Sequence, residues 1–292
     1  MKKLFFLFIP LCLTLALAVF LLNYFIGYEI YRDVSYADGE ENAMDIYIPK
    51  EAYSRESNGC VLFIHGGSWS GGDKSEEAFR CRLLASHGYI AVTMNYTLWT
   101  EESSNEYNVF KVLDEIDAAL IKVKDFTAGL GIKVDKAATS GYSAGAHLSL
   151  LYSYSRGDSA LLDIVFAAGM AGPADISDEV WGTDMAKRVG RRLTGIEFTD
   201  EMLKSEDGEK LLLSVSPTSY VDGDTPPTII MHGGMDDVVP IGNSESLISK
   251  LAEHSVPYDY VYLKNSNHLL IQNPIKHLSY YGLMLKYCKN YF

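Results

Sequence analysis

The chain has 292 residues, 48% of them hydrophobic, and a formal net charge of −13 at pH 7. This length and apolar content suffice for one large domain with a sizeable core. The acidic balance argues against nucleic acid as a partner, because no basic stripe is available to neutralise phosphates.

The N-terminal stretch has two lysines, Lys2 and Lys3, followed by an apolar run over residues 4–22. A run of about 20 apolar residues can span a bilayer, and the lysines would hold the N-terminus in the cytoplasm. We therefore expect residues 1–28 to be the signal anchor of a single-pass cell-membrane protein. Residues 29–292 would form the domain, on the extracytoplasmic side.

A cleaved signal peptide is the alternative for this segment. The sequence Ala16-Leu17-Ala18 fits a signal-peptidase site. The apolar run continues beyond it, however, and exceeds the usual signal-peptide core of about 7–15 residues. Cleavage would make the domain a secreted protein, so both interpretations export it.

The cysteines are Cys12, Cys60, Cys81 and Cys288. No two of them form a C-x-x-C pair, so the pattern predicts no zinc site, and the spacing favours no particular disulfide. We expect buried free thiols.

Strands and helices alternate along the predicted domain. Residues 29–37 and 43–48 read as two strands joined by a turn at Asp38-Gly39, which predicts an antiparallel pair. Apolar residues then recur at helical spacing between residues 105 and 128, which predicts an amphipathic helix. Further strands are predicted at 60–64, 89–94, 137–140, 164–168, 228–231 and 258–263, and further helices at 76–87, 144–154, 244–254 and 275–291.

This alternation predicts an α/β fold, a mostly parallel twisted sheet with helices on both faces. In such sheets the functional site lies at the carboxyl ends of the strands, where the loops that follow them converge. The motifs described below follow strands and would therefore meet at that edge.

The alternation is interrupted between Ser177 and Leu213, where the sequence is polar and charged. Helical segments are predicted around residues 184–193 and 200–213. We interpret residues 177–213 as an insertion that forms a small helical cap over the site. The alternative is a solvated helical connection that does not contact substrate. Four basic residues lie close together in this insertion: Lys187, Arg188, Arg191 and Arg192.

A G-x-S-x-G pattern, Gly141-Tyr142-Ser143-Ala144-Gly145, lies between a predicted strand and a predicted helix. In that setting a sharp turn lifts the serine oxygen off the strand end, and small flanking residues let the backbone pass closely. Ser143 is therefore a candidate nucleophile. The amide of Ala144, at the helix N-terminus, is placed to hold an oxyanion.

Two histidine-glycine turns and one later histidine complete the set of motifs. His65-Gly66-Gly67-Ser68 follows strand 60–64, and His232-Gly233-Gly234 follows strand 228–231. A nucleophilic serine needs a base within hydrogen-bond reach. His268 is the favoured base because it lies in the loop after the last predicted strand, whereas histidines that open glycine turns are commonly structural.

The order of glycine-rich loop, serine, aspartate and histidine is that of the α/β-hydrolase triad. From about residue 30 to residue 292 the chain resembles α/β-hydrolases of the acetyl-esterase/lipase type, close to the hormone-sensitive-lipase-like esterases. The resemblance implies Ser143 as nucleophile, His268 as general base and Asp236 as the acid that orients it. The family pattern H-G-x-x-D-x-x-V-P favours Asp236, with the adjacent Asp237 as the alternative.

The resemblance also implies an oxyanion hole. His65-Gly66-Gly67-Ser68 is similar to the H-G-G-G loop of the family, so the amides of Gly67 and Ser68 would act together with that of Ala144. Ser68 replaces the last glycine of the pattern, and its hydroxyl is an alternative donor. No cofactor and no metal is implied. Aromatic side chains near the strand ends are candidates for a pocket wall or for the core: Trp69, Tyr96 and Trp99.

We therefore predict a serine hydrolase that cleaves short-chain carboxylic esters through an acyl-enzyme intermediate, with a small-molecule ester as substrate. An amidase, an aryl-formamidase or a peptidase is the alternative, because these enzymes share the same triad and acyl-transfer chemistry. A catalytically idle hydrolase fold used for binding is the remaining hypothesis. The sequence does not indicate the oligomeric state.

Overall fold

The computed structural model describes residues 27–39, 41–104 and 106–292. The predicted anchor, residues 1–28, lies almost entirely outside these residues, and so does Cys12. Along the described chain, no helix combines the length and apolar character needed to cross a membrane.

The described residues form a sheet of eight strands in the order β1-β2-β4-β3-β5-β6-β7-β8. β2 pairs antiparallel with both β1 and β4, and the remaining neighbours are parallel. The predicted antiparallel pair and mostly parallel sheet are therefore confirmed. The strands are β1 (Tyr28–Ser35), β2 (Ala43–Pro49), β3 (Asn58–Ile64), β4 (Ile90–Met94), β5 (Val134–Tyr142), β6 (Asp163–Met170), β7 (Thr228–Gly233) and β8 (Tyr258–Leu263).

Strand β3 shows why the central strands are continuous apolar runs. Successive side chains of a strand point to opposite faces, so a strand covered on both faces needs apolar residues at every position. Cys60, Leu62 and Ile64 pack into the core on one face of the sheet. Val61 and Phe63 pack into the core on the other face.

Helices cover both faces of the sheet, as predicted. The helices outside the insertion are α1 (Ala78–Ser86), α2 (Val109–Gly129), α3 (Ala144–Arg156), α8 (Gly242–Glu253) and α9 (Pro274–Tyr291). α1 and α9 contribute to one core cluster. α2, α3 and α8 contribute to the two other clusters.

Two predicted helices have starts that differ from those suggested by the sequence pattern. The helix predicted from residue 105 begins at Val109, where Asn108 accepts a hydrogen bond from the amide of Lys111. The helix predicted at 76–87 is a 3-10 turn, Lys74–Glu77, followed by α1. Asp73 caps that turn by accepting a hydrogen bond from the amide of Ser75.

The insertion is helical, and we call it the cap. Its ends are tied together, because the amide of Ile176 donates to Ser216 Oγ over 2.9 Å. The segment predicted as one helix at 200–213 is two helices, because Ser205 caps a new start by accepting a hydrogen bond from the amide of Gly208. The cap helices are α4 (Asp178–Trp181), α5 (Thr183–Thr194), α6 (Asp200–Leu203) and α7 (Glu206–Ser214). Apolar residues of α5 join the core below: Ala186, Val189 and Leu193.

The described cysteines, Cys60, Cys81 and Cys288, are buried and free. Burial raises the pKa of each thiol. The expectation of buried free thiols is confirmed for these three residues.

Candidate active site

Ser143 occupies a strained turn between β5 and α3. Its backbone has φ 54° and ψ −120°, a left-handed conformation that costs a non-glycine residue about 1–3 kcal/mol. A Cβ on Gly141 would lie 2.3 Å from the carbonyl carbon of Gly145, and one on Gly145 would lie 2.0 Å from the oxygen of Ile64. Only glycine fits at these two positions, which explains the G-x-S-x-G spacing.

His268 lies beside this serine, in the loop after β8. Its Nε2 is 3.0 Å from Ser143 Oγ, and its Nδ1 is 2.9 Å from Asp236 Oδ2. An ionised carboxylate only accepts hydrogen bonds, so the Nδ1–H donates to Asp236 and leaves Nε2 free to accept the serine proton. The structure therefore brings Ser143, His268 and Asp236 into one hydrogen-bonded chain.

The Asp236 side chain has no exposed surface. Burial alone would raise the pKa of this carboxyl, but hydrogen bonds from His268 and from the amides of Val239 and Val238 outweigh it, and the pKa is lowered. The two amides donate to Oδ1 over 2.8 and 2.9 Å. Asp236 is therefore held ionised. The adjacent Asp237 is exposed instead.

The glycine-rich loop after β3 lies against the serine turn. A Cβ on Gly66 would be 3.4 Å from Ser143 Cβ. Gly67, Ser68 and Trp69 have φ of 109°, 54° and 60°. A Cβ on Gly67 would lie 2.1 Å from the oxygen of Gly71, so this position requires glycine. Consecutive residues of this kind form a tight turn that can direct amides toward an anion. We call residues 65–69 the oxyanion loop.

Residues 44–251 match the sequence pattern of the BD-FAE family. The chain belongs to the BD-FAE family. The matched region contains the oxyanion loop, Ser143 and Asp236, and ends before His268. It therefore covers most of the sheet together with the whole cap.

Two curated relatives of this BD-FAE chain are named as esterases. It is 25% identical over 243 residues to esterase LipQ of Mycobacterium tuberculosis, covering 81% of this chain and 56% of the relative. It is 23% identical over 271 residues to a probable isoprenylcysteine alpha-carbonyl methylesterase of Oryza sativa subsp. japonica, covering 87% of this chain and 62% of the relative. The chain thus spans between half and two-thirds of the length of these relatives.

Solved structures share its fold. A truncated carbohydrate esterase from gut microbiota superimposes with a TM-score of 0.71 at 19% identity, covering 90% of this chain and 98% of that one. Esterase B from Lactobacillus rhamnosis, inhibited by a tributyrin phosphonate, superimposes with a TM-score of 0.70 at 19% identity, covering 98% of this chain and 95% of that one. The α/β-hydrolase fold expected from the motifs is therefore shown.

A buried histidine supports the oxyanion loop from below. His147, on the first turn of α3, accepts a hydrogen bond from Trp69 Nε1 over 3.2 Å and donates from Nε2 to the oxygen of Val215 over 2.8 Å. Burial lowers the pKa of His147 to about 4, so the ring stays neutral at pH 7. His147 thereby connects the loop, the nucleophile helix and the end of the cap.

The two histidines that open the glycine turns are buried and bonded to backbone. His65 Nδ1 lies 2.7 Å from the oxygen of Gly66, and its ring stacks on Tyr96 with centroids 4.3 Å apart. His232 Nε2 lies 3.0 Å from the oxygen of Val239 and 3.4 Å from Asp236 Oδ2. Burial lowers the pKa of both rings. Neither ring is the one bonded to Ser143.

Several contacts at the site were not predicted from the sequence. The amide of Ser143 donates to the oxygen of Met170 over 2.8 Å. Tyr142, the first of the two variable residues of G-x-S-x-G, donates a hydrogen bond from its hydroxyl to the oxygen of His268 over 2.8 Å. Arg192 of α5 donates to the oxygen of Ser68 over 3.2 Å. The basic cluster and the variable motif position were visible in the sequence, but their partners lie in distant segments.

An apolar cavity of about 210 Å³ is lined by Tyr142 and Leu269, the residues next in the chain to Ser143 and His268, but by no triad side chain. We call it the acyl cavity. Tyr142 and Met170 line it on the serine side, and Leu269, Leu270 and Ile271 line it on the histidine side. Arg80 and His277 complete its wall.

Metal-ligating side chains do not cluster at the site. Within the described ranges, no group of three or more histidine, cysteine, aspartate or glutamate side chains could hold a metal ion.

Proposed function

We propose that the protein hydrolyses short-chain carboxylic esters through an acyl-enzyme formed on Ser143. The observation that carries the proposal is the hydrogen-bonded chain from Ser143 Oγ to His268 and on to Asp236, with distances of 3.0 and 2.9 Å. Membership of the BD-FAE family and the esterase names of the relatives support the same chemistry. Because the chain spans only part of those relatives, its activity rests on its own site.

In the proposed reaction, Ser143 Oγ attacks the ester carbonyl while His268 Nε2 accepts the serine proton. The imidazolium that forms is stabilised by the ionised Asp236. The amides of Gly67, Ser68 and Ala144 would donate to the tetrahedral oxyanion, each worth about 3–4 kcal/mol of transition-state stabilisation.

The second half of the reaction uses the same groups. His268 donates its proton to the leaving alcohol, and the acyl-enzyme remains on Ser143. A water molecule that enters next to His268 gives up a proton to Nε2 and attacks the acyl carbon, releasing the acid. Each proton taken by His268 is returned in the next step, so no cofactor is required.

The size of the acyl cavity supports a short acyl group. Its volume of about 210 Å³ lies below the roughly 300–1,000 Å³ typical of sites for drug-sized ligands. The cap is also small and charged, unlike a broad apolar lid. Rates on 4-nitrophenyl acetate or butyrate should therefore exceed those on the palmitate ester, and a preference for palmitate would contradict the assignment.

Covalent labelling tests the nucleophile directly. A fluorophosphonate probe should label the wild-type protein on the peptide that contains Ser143, as read by mass spectrometry. Ser143→Ala should remove the label. Ser70→Ala, at an exposed serine just beyond the oxyanion loop, is the matched control and should retain it. Labelling that persists in Ser143→Ala would exclude Ser143 as the nucleophile.

We also propose that the chain is held at the cell membrane by residues 1–28, with the catalytic domain on the extracytoplasmic side. Lys2 and Lys3 before the apolar run support this arrangement. The protein should remain in the membrane pellet after a salt wash and keep its N-terminus intact by mass spectrometry. A mature protein that begins near Val19 would instead identify a cleaved signal peptide.

A further inference from the structure

A second cavity lies between α5 of the cap and the loop that follows β4. We call it the cap cavity. Its volume is about 520 Å³, within the range of ligand sites. Trp99 lines it from the loop and Arg188 and Arg192 line it from α5, with Phe198 at one end. Its remaining lining residues are charged.

Those remaining charges are paired with one another, with three carboxylates against two cations. Lys187 lies 3.3 Å from Asp184 and 2.6 Å from Asp200. Arg191 lies 3.1 Å from Glu101 and 2.8 Å from Glu197. The three carboxylates that line the cavity, Asp184, Glu101 and Glu197, are therefore all engaged by these two cations.

Arg188 and Arg192 differ from these two cations in their ion-pair partners. In the part of the chain that the structure describes, neither guanidinium has a carboxylate oxygen within 4.0 Å. Arg192 is half-buried, lies 4.9 Å from the centroid of the Trp99 ring and bonds the neutral oxygen of Ser68. Burial lowers the pKa of Arg192 and outweighs the attraction of Glu101. A charge removed from water in this way is stabilised by a counter-ion.

The same region contains buried donors without acceptors. Trp99 is 8% exposed and Tyr107 is 4% exposed. In the described chain, Trp99 Nε1 and the Tyr107 hydroxyl have no hydrogen-bond partner. A buried donor without a partner costs about 1–3 kcal/mol.

The cap cavity is connected to the proposed active site through the oxyanion loop. Arg192 bonds the oxygen of Ser68, and the amide of Trp99 donates to the oxygen of Trp69 over 2.7 Å. The same loop contacts Ser143 at Gly66. A group bound in the cap cavity would therefore be separated from the reacting carbonyl only by the oxyanion loop.

We propose that the cap cavity is a subsite that binds an anionic oxyacid group, a carboxylate or a phosphate, carried by the ester substrate. Arg188 and Arg192 supply the charge, Arg192 supplies the planar pair of donors that such groups prefer, and Trp99 supplies the flat wall against which the guanidinium stacks. This proposal rests on the proposed ester hydrolysis, because it takes the anionic group to be part of the ester substrate.

Direct binding tests the subsite without catalysis. Inorganic phosphate and succinate should bind Ser143→Ala protein in isothermal titration calorimetry at about 10 mM salt and dissociate at higher ionic strength, where charges are screened. Adding Arg192→Gln or Arg188→Gln should weaken binding about tenfold or more, as expected for charge-assisted hydrogen bonds. Lys210→Gln removes one cap charge from α7 outside the cavity and should leave binding unchanged.

Paired esters test whether the anion belongs to the substrate. One pair places a carboxylate on the acyl group (4-nitrophenyl hemisuccinate against the butyrate). The other pair places it on the alcohol (4-acetoxybenzoate against 4-acetoxybenzamide). In one of the pairs, Arg192→Gln should lower kcat/KM for the anionic ester about tenfold more than for the neutral ester. Arg192→Lys should restore part of the ratio, and Lys210→Gln should not change it.

The outcomes separate the two proposals. Arginine-dependent binding of phosphate with unchanged ester ratios would assign the cavity to a free anion and overturn the substrate part. No binding together with unchanged ratios in both pairs would overturn the subsite altogether. Arginine-dependent binding by a protein that cleaves none of the esters would leave the subsite and overturn the proposed hydrolysis.

Discussion

The tripeptide His-Gly-Gly occurs twice in this chain, directly after β3 and at the end of β7, and the two turns are locally alike. In both, the histidine is 1% exposed and burial lowers its pKa. The residues that follow differ. After His65 the backbone continues through three residues of positive φ against Ser143, whereas after His232 the chain delivers the Asp236 carboxylate to His268.

The difference arises from what each turn packs against. The first turn is anchored to the loop after β4, because the amide of Trp99 donates to the oxygen of Trp69. The second turn is anchored to the histidine loop, because the amide of Met235 donates to the oxygen of Ser266 over 2.9 Å. The same local sequence therefore positions backbone amides at one strand end and a side-chain carboxylate at the other.

The largest effect on activity is expected from substitution of Ser143, which the first turn contacts, or of His268, which the second turn orients through Asp236. Ser143→Ala and His268→Ala should each lower kcat by about 10⁶, because the attacking oxygen or its base is lost. The double variant should be no worse than either single variant, since both act in one step. Steady-state kinetics on 4-nitrophenyl butyrate measures this, with circular dichroism as the folding control. Full activity in Ser143→Ala would contradict the hydrolase assignment and the roles assigned to the two turns.

Asp236→Asn tests the second turn. The amide would no longer hold the imidazole of His268 in the tautomer that accepts the serine proton, so kcat/KM should fall by about 10⁴. Asp237→Asn is the matched control at the next position and should have a mild effect, because that side chain is exposed. If Asp237→Asn proves the more damaging, the acid has been assigned to the wrong residue.

Gly67→Ala tests the first turn. With φ at 109° and Gly71 in the way of a Cβ, the loop must shift and misplace its amides. Loss of one oxyanion donor should lower kcat by about 10²–10³ with little change in KM. Ser68→Ala keeps the amide and removes the hydroxyl, so it should change kcat little. A large loss in Ser68→Ala would identify the hydroxyl as the donor instead.

The smallest effect concerns the support of the first turn by His147. Its pKa is about 4 in the fold and about 6.5 when unfolded, so the unfolded chain binds the proton more tightly. Stability from this group is full above pH 6.5 and is lost as pH falls toward 4, by about 3 kcal/mol in total.

The measurement is the difference in free energy of unfolding between wild type and His147→Gln, from urea titrations between about pH 7 and pH 4. This difference should shrink on acidification, because the variant lacks the titrating ring. His254→Gln, at an exposed position, controls for the substitution itself. A difference that stays constant over this range would show that His147 is not held neutral by burial.

Much of the fold followed from local sequence patterns. The alternation of strands and helices, the antiparallel start and the limits of the central strands depend on short-range periodicity, and they were predicted within a few residues. The helix starts at Val109 and Glu206 were missed because hydrophobic periodicity runs on into the turn before a helix. The side chains of Asn108 and Ser205 define these starts, and such capping residues are visible in the sequence.

The positions of the three proposed catalytic side chains along the chain were also evident, because each lies in a short motif after a strand. The sequence by itself determined that a serine, an aspartate and a histidine would follow three strands of one sheet. Their hydrogen bonds were not determined in the same way, since Ser143 and His268 are 125 residues apart. Only the parallel order of β5, β7 and β8 in the sheet brings their loops to one edge.

The cap shows most clearly which contacts could not be predicted from the sequence. Its charge and helical character could be read from residues 177–213, yet nothing local distinguishes Arg192 from Arg191, two cations on the same helix. Tertiary packing places Glu101 and Glu197 beside Arg191, while Arg192 is directed to the oxyanion loop and Trp99. Which charge is neutralised depends on contacts between distant segments, because electrostatic interactions follow distance in space rather than separation along the chain.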